Sequence, residues 1–350
     1  MLKLQIVAEH ALQADQHTLE PSQLWETLAE AEGSSCPPGE GQLQSQRAGI
    51  EASAGFVADR QTVEVLSRPA EASIPGNESS WQREFQEGTL AFLQFDDSEP
   101  LITPASALAY YRSLAADPEA DLALPNLLVG TFQNTAFEHL AGRLGDSDPV
   151  RWPTPVFYPM ARGTIGERTL AVARLPVGAS HAAMALELMI AAGVRTILLV
   201  GSAGSLQSHL PLGALVIPTT AIRHEGTSHH YLAEGEAAVP APELVDDLVS
   251  AAVSRGLPAP ALGPAWSTDA PYRECASTVA RLQREGALVV EMEAAALFAV
   301  GLHRRVRVAT IVAISDQLRQ PWTPGFHTLA YRRGLMMAAD VALDAALHAR

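Results

Sequence analysis

The sequence predicts an α/β fold with a central mixed β-sheet that is flanked by helices on both sides. Short apolar segments typical of buried strands occur at residues 126–130, 169–175, 196–200, 214–218, 287–290 and 306–314. Helical patterns of apolar residues occur at residues 181–192, 241–254, 275–285, 293–302 and 326–347. Strands that are apolar on both faces and alternate with helices are typical of a sheet covered on both sides.

Two regions of the chain differ in composition. Residues 1–95 are rich in Glu, Gln, Ser, Gly and Ala, and residues 34–46 (SSCPPGEGQLQSQ) have the composition of a linker. We therefore predict a poorly structured, partly disordered N-terminal extension over residues 1–95, to which the sequence assigns no function. Residues 96–350 carry the regular pattern of strands and helices, and we predict that they form one folded domain.

Composition and charge disfavour several classes of partner. Apolar residues make up 47% of the chain and charged residues 18%, as is typical of a globular protein. The net charge of -15 disfavours binding to nucleic acid or to an anionic membrane surface. Cys36 and Cys275 give no disulfide framework, Glu9 and His10 interrupt the start of any signal peptide, and no apolar run could span a bilayer. We expect a soluble, cytoplasmic protein.

The first candidate site follows the apolar strand at residues 196–200. In sheets of this kind, ligands bind at the carboxyl ends of the strands. Residues 201–205 (GSAGS) would form a turn there, and its backbone N–H groups and the Ser202 hydroxyl could bind an anion or a sugar hydroxyl. The alternative is an ordinary turn in which glycine supplies an unusual backbone conformation.

A second candidate site contains two carboxylates at the end of a Val-Val strand. Glu291 and Glu293 flank Met292 and would share one face if the strand continued. A carboxylate here could accept two hydrogen bonds from a vicinal diol such as that of ribose, and Met292 could line the sugar with a soft apolar surface. The alternative is that both acids stabilise the N-terminus of the following helix, which accounts for one glutamate more readily than for two.

A third candidate is Asp316, which follows Ser315 after the long apolar strand. Burial favours the protonated form of a carboxyl, so Asp316 could act as an acid toward N7 of a departing purine. The alternative is a helix N-cap. Residues 266–274, which include Trp266 and Tyr272, could form a wall that stacks on a base, or a plain capped loop.

Motifs for metals and nucleotide phosphates are not found. His224 and Glu225 begin an HExxH-like segment, but Ser228 stands where the second histidine would be needed, so we expect no metal site. The sequence also has no GxSxG, GxGxxG or Walker-type GxxxxGK[ST] motif.

Taken in order, these segments resemble the nucleoside phosphorylase-I superfamily over roughly residue 127 to the C-terminus. GSAGSLQSHLPLGALVIPTTAIRHEGTSHHY resembles the segment after the phosphate-binding strand of uridine phosphorylases, and VEMEAAALF resembles the ribose-binding stretch of the superfamily. STDAPY occupies the place of the base-binding loop. Asp316 follows Glu293 by 23 residues, the spacing of the purine branch. The family includes hexameric purine nucleoside phosphorylases, uridine phosphorylases and methylthioadenosine nucleosidases.

The resemblance implies a catalytic domain over residues 96–350 that cleaves the N-glycosidic bond of a purine nucleoside. Phosphorolysis would give the free base and ribose 1-phosphate, with phosphate as co-substrate and no other cofactor. By the resemblance, Glu293, Met292 and Ser202 would bind the ribose, and Asp316 would act on the purine. A homo-oligomer, whether dimer, trimer or hexamer, is also implied.

The remaining implied contacts are those to base and phosphate. Tyr272 and Glu291 would bind the base, and Gly130 would mark the first phosphate-binding loop, with Ser202 also contacting phosphate. The Gln/Arg pair with which uridine phosphorylases bind uracil is not found after Tyr272, which favours purines.

The chain departs from the family where phosphorylases carry phosphate-binding arginines. Asn134 and Leu199 occupy two of these positions, and the loss of two guanidinium groups would weaken phosphate binding. Either Arg162, Arg174 or Arg223 compensates, or water replaces phosphate and the enzyme is a nucleosidase. A third interpretation is a catalytically degenerate protein that binds a nucleoside or nucleotide without turnover.

Overall fold

The structure, a computed structural model, describes residues 95–114, 123–150 and 159–349. Within these ranges the strands are β1 (Leu127–Thr131), β2 (Gly145–Pro149), β3 (Met160–Ile165), β4 (Arg168–Arg174), β5 (Thr196–Ser205), β6 (Leu215–His224), β7 (Ala261–Thr268), β8 (Val289–Glu291), β9 (Arg307–Gln317) and β10 (Thr323–Pro324). The α-helices of the same ranges are α1 (Pro104–Ser113), α2 (Asn134–Ala141), α3 (Ala179–Ala191), α4 (Pro242–Ser254), α5 (Ala276–Arg284), α6 (Ala294–Arg304) and α7 (Leu329–His348). The predicted N-terminal extension, residues 1–95, lies outside the described residues except for Phe95.

The strands form one mixed sheet in the order β10-β9-β6-β7-β8-β5-β1-β4-β3-β2, and β9 also pairs with β5. Strands β5, β9, β6, β7 and β8 therefore close into a ring, from which the sheet continues through β1 to β2. Strand β5 is parallel to β1 and β9, and its last two residues, Gly204 and Ser205, pair antiparallel with β8. The predicted mixed sheet with helices on both sides is confirmed.

Alternation along β5 separates two apolar cores. Leu198 and Val200 belong to a cluster with α2, α4 and α7, whereas Ile197 and Leu199 belong to a cluster with α3 and α6. Successive side chains of a strand point to opposite faces, so one strand contributes to both helical layers. A third cluster fills the interior of the ring; its buried members are Ala203, Leu210, Val216, Ala265, Val289, Val312 and Ile314.

Local signals fix the starts of two helices. Thr103 and Ser106 form a reciprocal capping box at the start of α1, and Pro104 occupies the first helical position, where its missing N–H costs nothing. The Thr328 side chain accepts a hydrogen bond from the Tyr331 N–H at the start of α7. This cap fixes the first turn of α7, which carries Tyr331 toward the ends of β5 and β9.

Several predicted bounds are corrected by the structure. The predicted turn at residues 201–205 is wrong, because β5 continues to Ser205 and is paired there with β8 and β9. The strand predicted at residues 214–218 likewise extends to His224. Strands β2, β3, β7 and β10 and helices α1 and α2 were not predicted; β2 (GDSDP) is polar and exposed, and β7 contains Gly263 and Pro264.

The length and hydropathy of the helices bear on membrane insertion. Among the helices of the described residues, none combines the length and the apolar composition that a bilayer span requires.

A close contact between two glycines packs α7 against the loop before β6. A Cβ on Gly334 would lie 2.4 Å from the carbonyl oxygen of Gly213 and 2.6 Å from its Cα. In an open helix, alanine is favoured over glycine by about 1 kcal/mol. We predict the opposite sign here: Gly334→Ala lowers the free energy of unfolding by roughly 1–3 kcal/mol, because α7 must shift.

Urea unfolding measures this effect. The control is Ser250→Ala on the exposed face of α4, which we expect to change stability by less than about 0.5 kcal/mol. A Gly334→Ala variant more stable than the wild type would contradict the prediction.

Candidate active site

A small cavity lies beside the carboxyl half of β5, between β9 and the start of α6. Its polar wall residues are Ser202, Glu291, Glu293 and Thr310. Apolar residues complete the wall, among them Phe132 and Leu199. The cavity therefore brings together three of the residues that the sequence singles out, Ser202, Glu291 and Glu293.

Glu293 is the buried acid of this cavity. Its side chain is 8% exposed, and its Oε1 accepts a hydrogen bond of 2.6 Å from the backbone N–H of Gly178, the residue before α3. Gly178 has φ +98°, a conformation that favours glycine. Burial and, after it, the neighbouring Glu291 raise the pKa of Glu293 to about 8, although the Gly178 N–H acts in the opposite direction. Near neutral pH this carboxyl therefore retains a proton in much of the folded protein.

Glu291 has a different role, because its carboxylate binds the backbone of α6. Its Oε2 accepts hydrogen bonds of 2.7 Å from the N–H groups of Glu293 and Ala294, and its Oε1 accepts one from the Ser267 hydroxyl. Ser267 in turn accepts a hydrogen bond of 2.9 Å from the Ala295 N–H. Burial raises the pKa of Glu291, whereas these three donors lower it. These are the contacts of a helix cap, so contact with a base stays a prediction for Glu291.

The other predicted sugar and base residues differ in exposure. Met292 is half-buried between the two glutamates. Tyr272 lies in the 3₁₀ helix Pro271–Arg273 with its side chain 100% exposed, outside the wall of the cavity. Glu274, two residues further along, is half-buried; burial and, after it, the charge of Asp316 raise the pKa of Glu274 to about 7. Residues 266–274 therefore approach Asp316 through Glu274, which the sequence did not single out.

Asp316 lies within β9 and is buried, with 8% exposure. Its Oδ1 accepts a hydrogen bond of 2.8 Å from the Ser315 hydroxyl, and its Oδ2 accepts one of 2.7 Å from the Trp322 indole N–H. Trp322 reaches Asp316 because β10 folds back and pairs with the end of β9. The alternative of a helix N-cap is wrong, since the next helix, α7, is capped by Thr328.

Asp316 does not line the cavity wall, but it lies beside the end of β5, the strand that carries Ser202. A Cβ on Gly204 would lie 3.3 Å from Asp316 Oδ2, and Ser202 points to the same side of β5 as Gly204. Burial raises the pKa of Tyr331, a hydrogen bond with Ser202 lowers it, and the charge of Asp316 raises it. Tyr331 is therefore near both Ser202 and Asp316.

Gly130, one of the residues predicted to mark the phosphate-binding loop, lies inside β1 and is buried. A Cβ on Gly130 would lie 2.6 Å from Leu175 and 2.7 Å from Leu199, so this glycine permits close packing of β1, β4 and β5. The loop that follows is tied to β5, because the Gln133 side-chain amide donates a hydrogen bond of 3.1 Å to the Ser202 hydroxyl. Gln133, like Trp322 and Tyr331, could not be identified from sequence, since only the fold brings it to the site.

Within residues 95–114, 123–150 and 159–349, no group of three or more His, Cys, Asp or Glu side chains could hold a metal ion. The side chain of Glu225, beside His224, accepts a hydrogen bond of 2.9 Å from the Ser228 N–H and helps to form the loop after β6.

The cap of α6 gives a prediction for Ser267, which is fully buried. Ser267→Ala removes the acceptor of the Ala295 N–H and the donor to Glu291, and it leaves both groups buried. We predict a loss of about 1–3 kcal/mol in the free energy of unfolding, measured with urea. The control Ser277→Ala, on the exposed face of α5, should change stability by less than about 0.5 kcal/mol. Equal changes in the free energy of unfolding for the two substitutions would show that the Ser267 hydrogen bonds do not stabilise the protein.

The raised pKa of Glu293 gives a prediction for stability against pH. The unfolded chain releases this proton near pH 4.5 and the folded chain near pH 8, so wild-type stability falls as the pH rises through this interval. Glu293→Gln keeps an oxygen acceptor for Gly178 but cannot ionise. We predict that its advantage over the wild type grows from pH 5 to pH 8, by roughly 2–4 kcal/mol.

Urea unfolding at the two pH values measures this difference. The matched control is Glu285→Gln, an exposed acid paired with Arg281 in α5, which should leave the pH dependence nearly unchanged. An unaltered pH dependence in Glu293→Gln would show that the carboxyl ionises as readily in the folded state as in the unfolded state.

Sequence comparison identifies relatives of known class. Guanosine phosphorylase of Halorubrum lacusprofundi is 31% identical over 161 residues, which are 46% of this chain and 66% of that protein. Uridine phosphorylase of Treponema pallidum is 32% identical over 179 residues, which are 47% of this chain and 67% of that protein. The chain thus spans about two thirds of the length of these curated relatives.

Solved structures share the fold. Purine nucleoside phosphorylase from Toxoplasma gondii, in complex with immucillin-H, superposes with a TM-score of 0.59 at 18% identity, over 64% of this chain and 91% of that chain. Uridine phosphorylase from Vibrio fischeri gives a TM-score of 0.57 at 21% identity, over 65% of this chain and 93% of that chain. Residues 131–347, more than half of the chain, match the phosphorylase superfamily. The chain belongs to the phosphorylase superfamily.

Proposed function

We propose that the protein cleaves the N-glycosidic bond of a purine nucleoside by phosphorolysis, giving the free base and ribose 1-phosphate. The observation that carries this proposal is the buried carboxyl of Glu293 in a cavity lined by Ser202, with a second buried carboxyl, Asp316, beside Gly204 on the same strand. Breaking this bond develops positive charge on the sugar and negative charge on the base. A site with an acid at each end can stabilise both charges.

Glu293 would act at the sugar. Its Oε1 already accepts from Gly178, so a ribose diol would use the remaining acceptor positions of the same carboxylate. Two hydroxyl donors would favour the ionised form and offset the cost of burial. The resulting negative charge would lie next to the ribose ring as positive charge develops on it.

Asp316 would act at the base. Its two oxygens accept from Ser315 and Trp322, which fix the orientation of the carboxyl. Donation to N7 of a purine requires a proton on one of these oxygens. Glu274, whose pKa burial and the charge of Asp316 raise to about 7, is near Asp316 and would contribute a second polar contact to the base.

Hydrolysis is the second candidate, and the cavity wall itself favours it. Leu199 lines the cavity at a position where phosphorylases of the resembled family carry an arginine, so the wall offers an apolar surface there. Water would then replace phosphate as the nucleophile, and free ribose would be the product.

A nucleoside panel separates these candidates. The full chain is incubated with inosine, guanosine, adenosine and uridine, with and without phosphate, and base and sugar products are separated by chromatography. We expect purine release that depends on phosphate and yields ribose 1-phosphate. Release that is indifferent to phosphate and yields ribose would select hydrolysis. Tight nucleoside binding by calorimetry without any product would select a binding protein.

Asp316→Asn tests the acid at the base. The substitution keeps the shape of the side chain but cannot supply a carboxyl proton, so we predict that kcat for a purine nucleoside falls roughly 10²–10⁴-fold while KM changes modestly. Steady-state kinetics measures both parameters. The control Asp246→Asn, on the exposed face of α4, should retain wild-type rates. A wild-type kcat in Asp316→Asn would remove this residue from the mechanism.

A further inference from the structure

A phosphorylase needs cationic donors for phosphate, and two expected positions lack them. Asn134 begins α2 and Leu199 lies in the cavity wall, and neither can carry charge. Three arginines elsewhere in the sequence could compensate: Arg162, Arg174 and Arg223. Their contacts in the folded chain decide among them.

Arg223 is bound to the loop that follows β6. Its guanidinium donates hydrogen bonds to the carbonyl oxygens of Ser228, Leu232, Ala233 and Glu236 at 2.8–3.2 Å, and to the Ser228 hydroxyl at 3.0 Å. These contacts hold the loop in shape, and a phosphate could recruit this guanidinium only by breaking them.

Arg162 lies at the opposite margin of the sheet from the cavity. It is on β3, where its guanidinium donates to the carbonyl oxygen of Ala123 at 3.3 Å and lies 3.8 Å from the carboxylate of Asp148 on the edge strand β2. The order of strands places β4 and β1 between β3 and β5.

Arg174 ends β4 at the edge of the sheet where the candidate site lies. It is level with Thr131 in the parallel pair of β1 and β4, so both residues are at the carboxyl ends of their strands. Its guanidinium donates a hydrogen bond to the side-chain oxygen of Asn134. The positive charge that position 134 lacks is therefore supplied next to that position by a neighbouring strand.

A row of hydrogen-bonded polar groups leads from Thr131, the register partner of Arg174, to the cavity. Thr131 donates a hydrogen bond of 3.2 Å to the side-chain oxygen of Gln133, and the Gln133 amide donates one of 3.1 Å to Ser202, which lines the cavity. A guanidinium, an amide and a hydroxyl thus follow one another along the ends of β4, β1 and β5. The planar guanidinium is suited to bidentate binding of a phosphate oxyanion.

We propose that Arg174 is the phosphate-binding arginine of this protein, held in place by Asn134 and taking over the charge that phosphorylases carry at position 134. The inference rests on the proposed phosphorolysis for its biological meaning, but binding of inorganic phosphate can be tested without turnover.

The experiment measures KM for phosphate and KM for the nucleoside in Arg174→Ala and Arg174→Lys, together with the rise in melting temperature that phosphate produces. We expect Arg174→Ala to raise the phosphate KM by about 10–100-fold, change the nucleoside KM by less than about threefold, and abolish the phosphate-dependent thermal shift. Arg174→Lys should recover part of the binding, because it restores charge without the planar fork. The matched control Arg162→Ala should keep wild-type values for phosphate.

A second variant distinguishes the loss of a phosphate contact from misfolding of Arg174→Ala. Asn134→Arg in the Arg174→Ala background returns the guanidinium to position 134 and should recover phosphate binding. The inference is overturned if Arg174→Ala keeps the wild-type phosphate KM and thermal shift, or if phosphate does not stabilise the wild type at all. A thermal shift that depends on Arg174 in a protein whose base release ignores phosphate would support the phosphate site and reject phosphorolysis.

Discussion

The site depends on the three-fold pairing of one strand, β5. Its first half pairs with β1 and β9, and its last residues pair with β8 and β9, which closes the five-stranded ring. Leu199 of β5 packs in the cluster that contains α6, Ser202 lines the cavity that holds Glu293, and a Cβ on Gly204 would lie 3.3 Å from Asp316. Both carboxyl groups of the candidate site are therefore close to this one strand.

The two glutamates of the VEMEA stretch have different hydrogen-bond partners and therefore different roles. Glu291 accepts from two backbone N–H groups and from Ser267, and so completes the start of α6. Glu293 receives backbone donors from Gly178 and Met292, and remains buried beside another acid. The fold thus satisfies one carboxylate and leaves the other with unused acceptor positions, at a cost in stability that a ligand can offset.

Local pattern predicts much of the fold but only part of the candidate site. The apolar runs that became β1, β4, β5, β8 and β9 are long enough to be found, whereas Gly and Ser in residues 201–205 indicate a turn that pairing on both edges of β5 overrides. The spacing of Glu293 and Asp316 follows from sequence. Trp322 and Tyr331 do not, because a hairpin and a helix cap bring them to the site. Arg174 is one of three arginines that the sequence offers, and only the parallel pair of β1 and β4 distinguishes it from the other two.

The hydrogen bond from Gly178 to Glu293 comes from the main chain, and this determines how the site can change during evolution. No exchange of side chain at position 178 removes that donor except proline, while the positive φ of this residue penalises every other replacement through backbone strain. A mutational scan would therefore record position 178 as intolerant for conformational reasons and would overlook its electrostatic effect. The pKa of Glu293 can therefore be adjusted only through the surrounding side chains. Sequence divergence among related proteins should concentrate in those side chains.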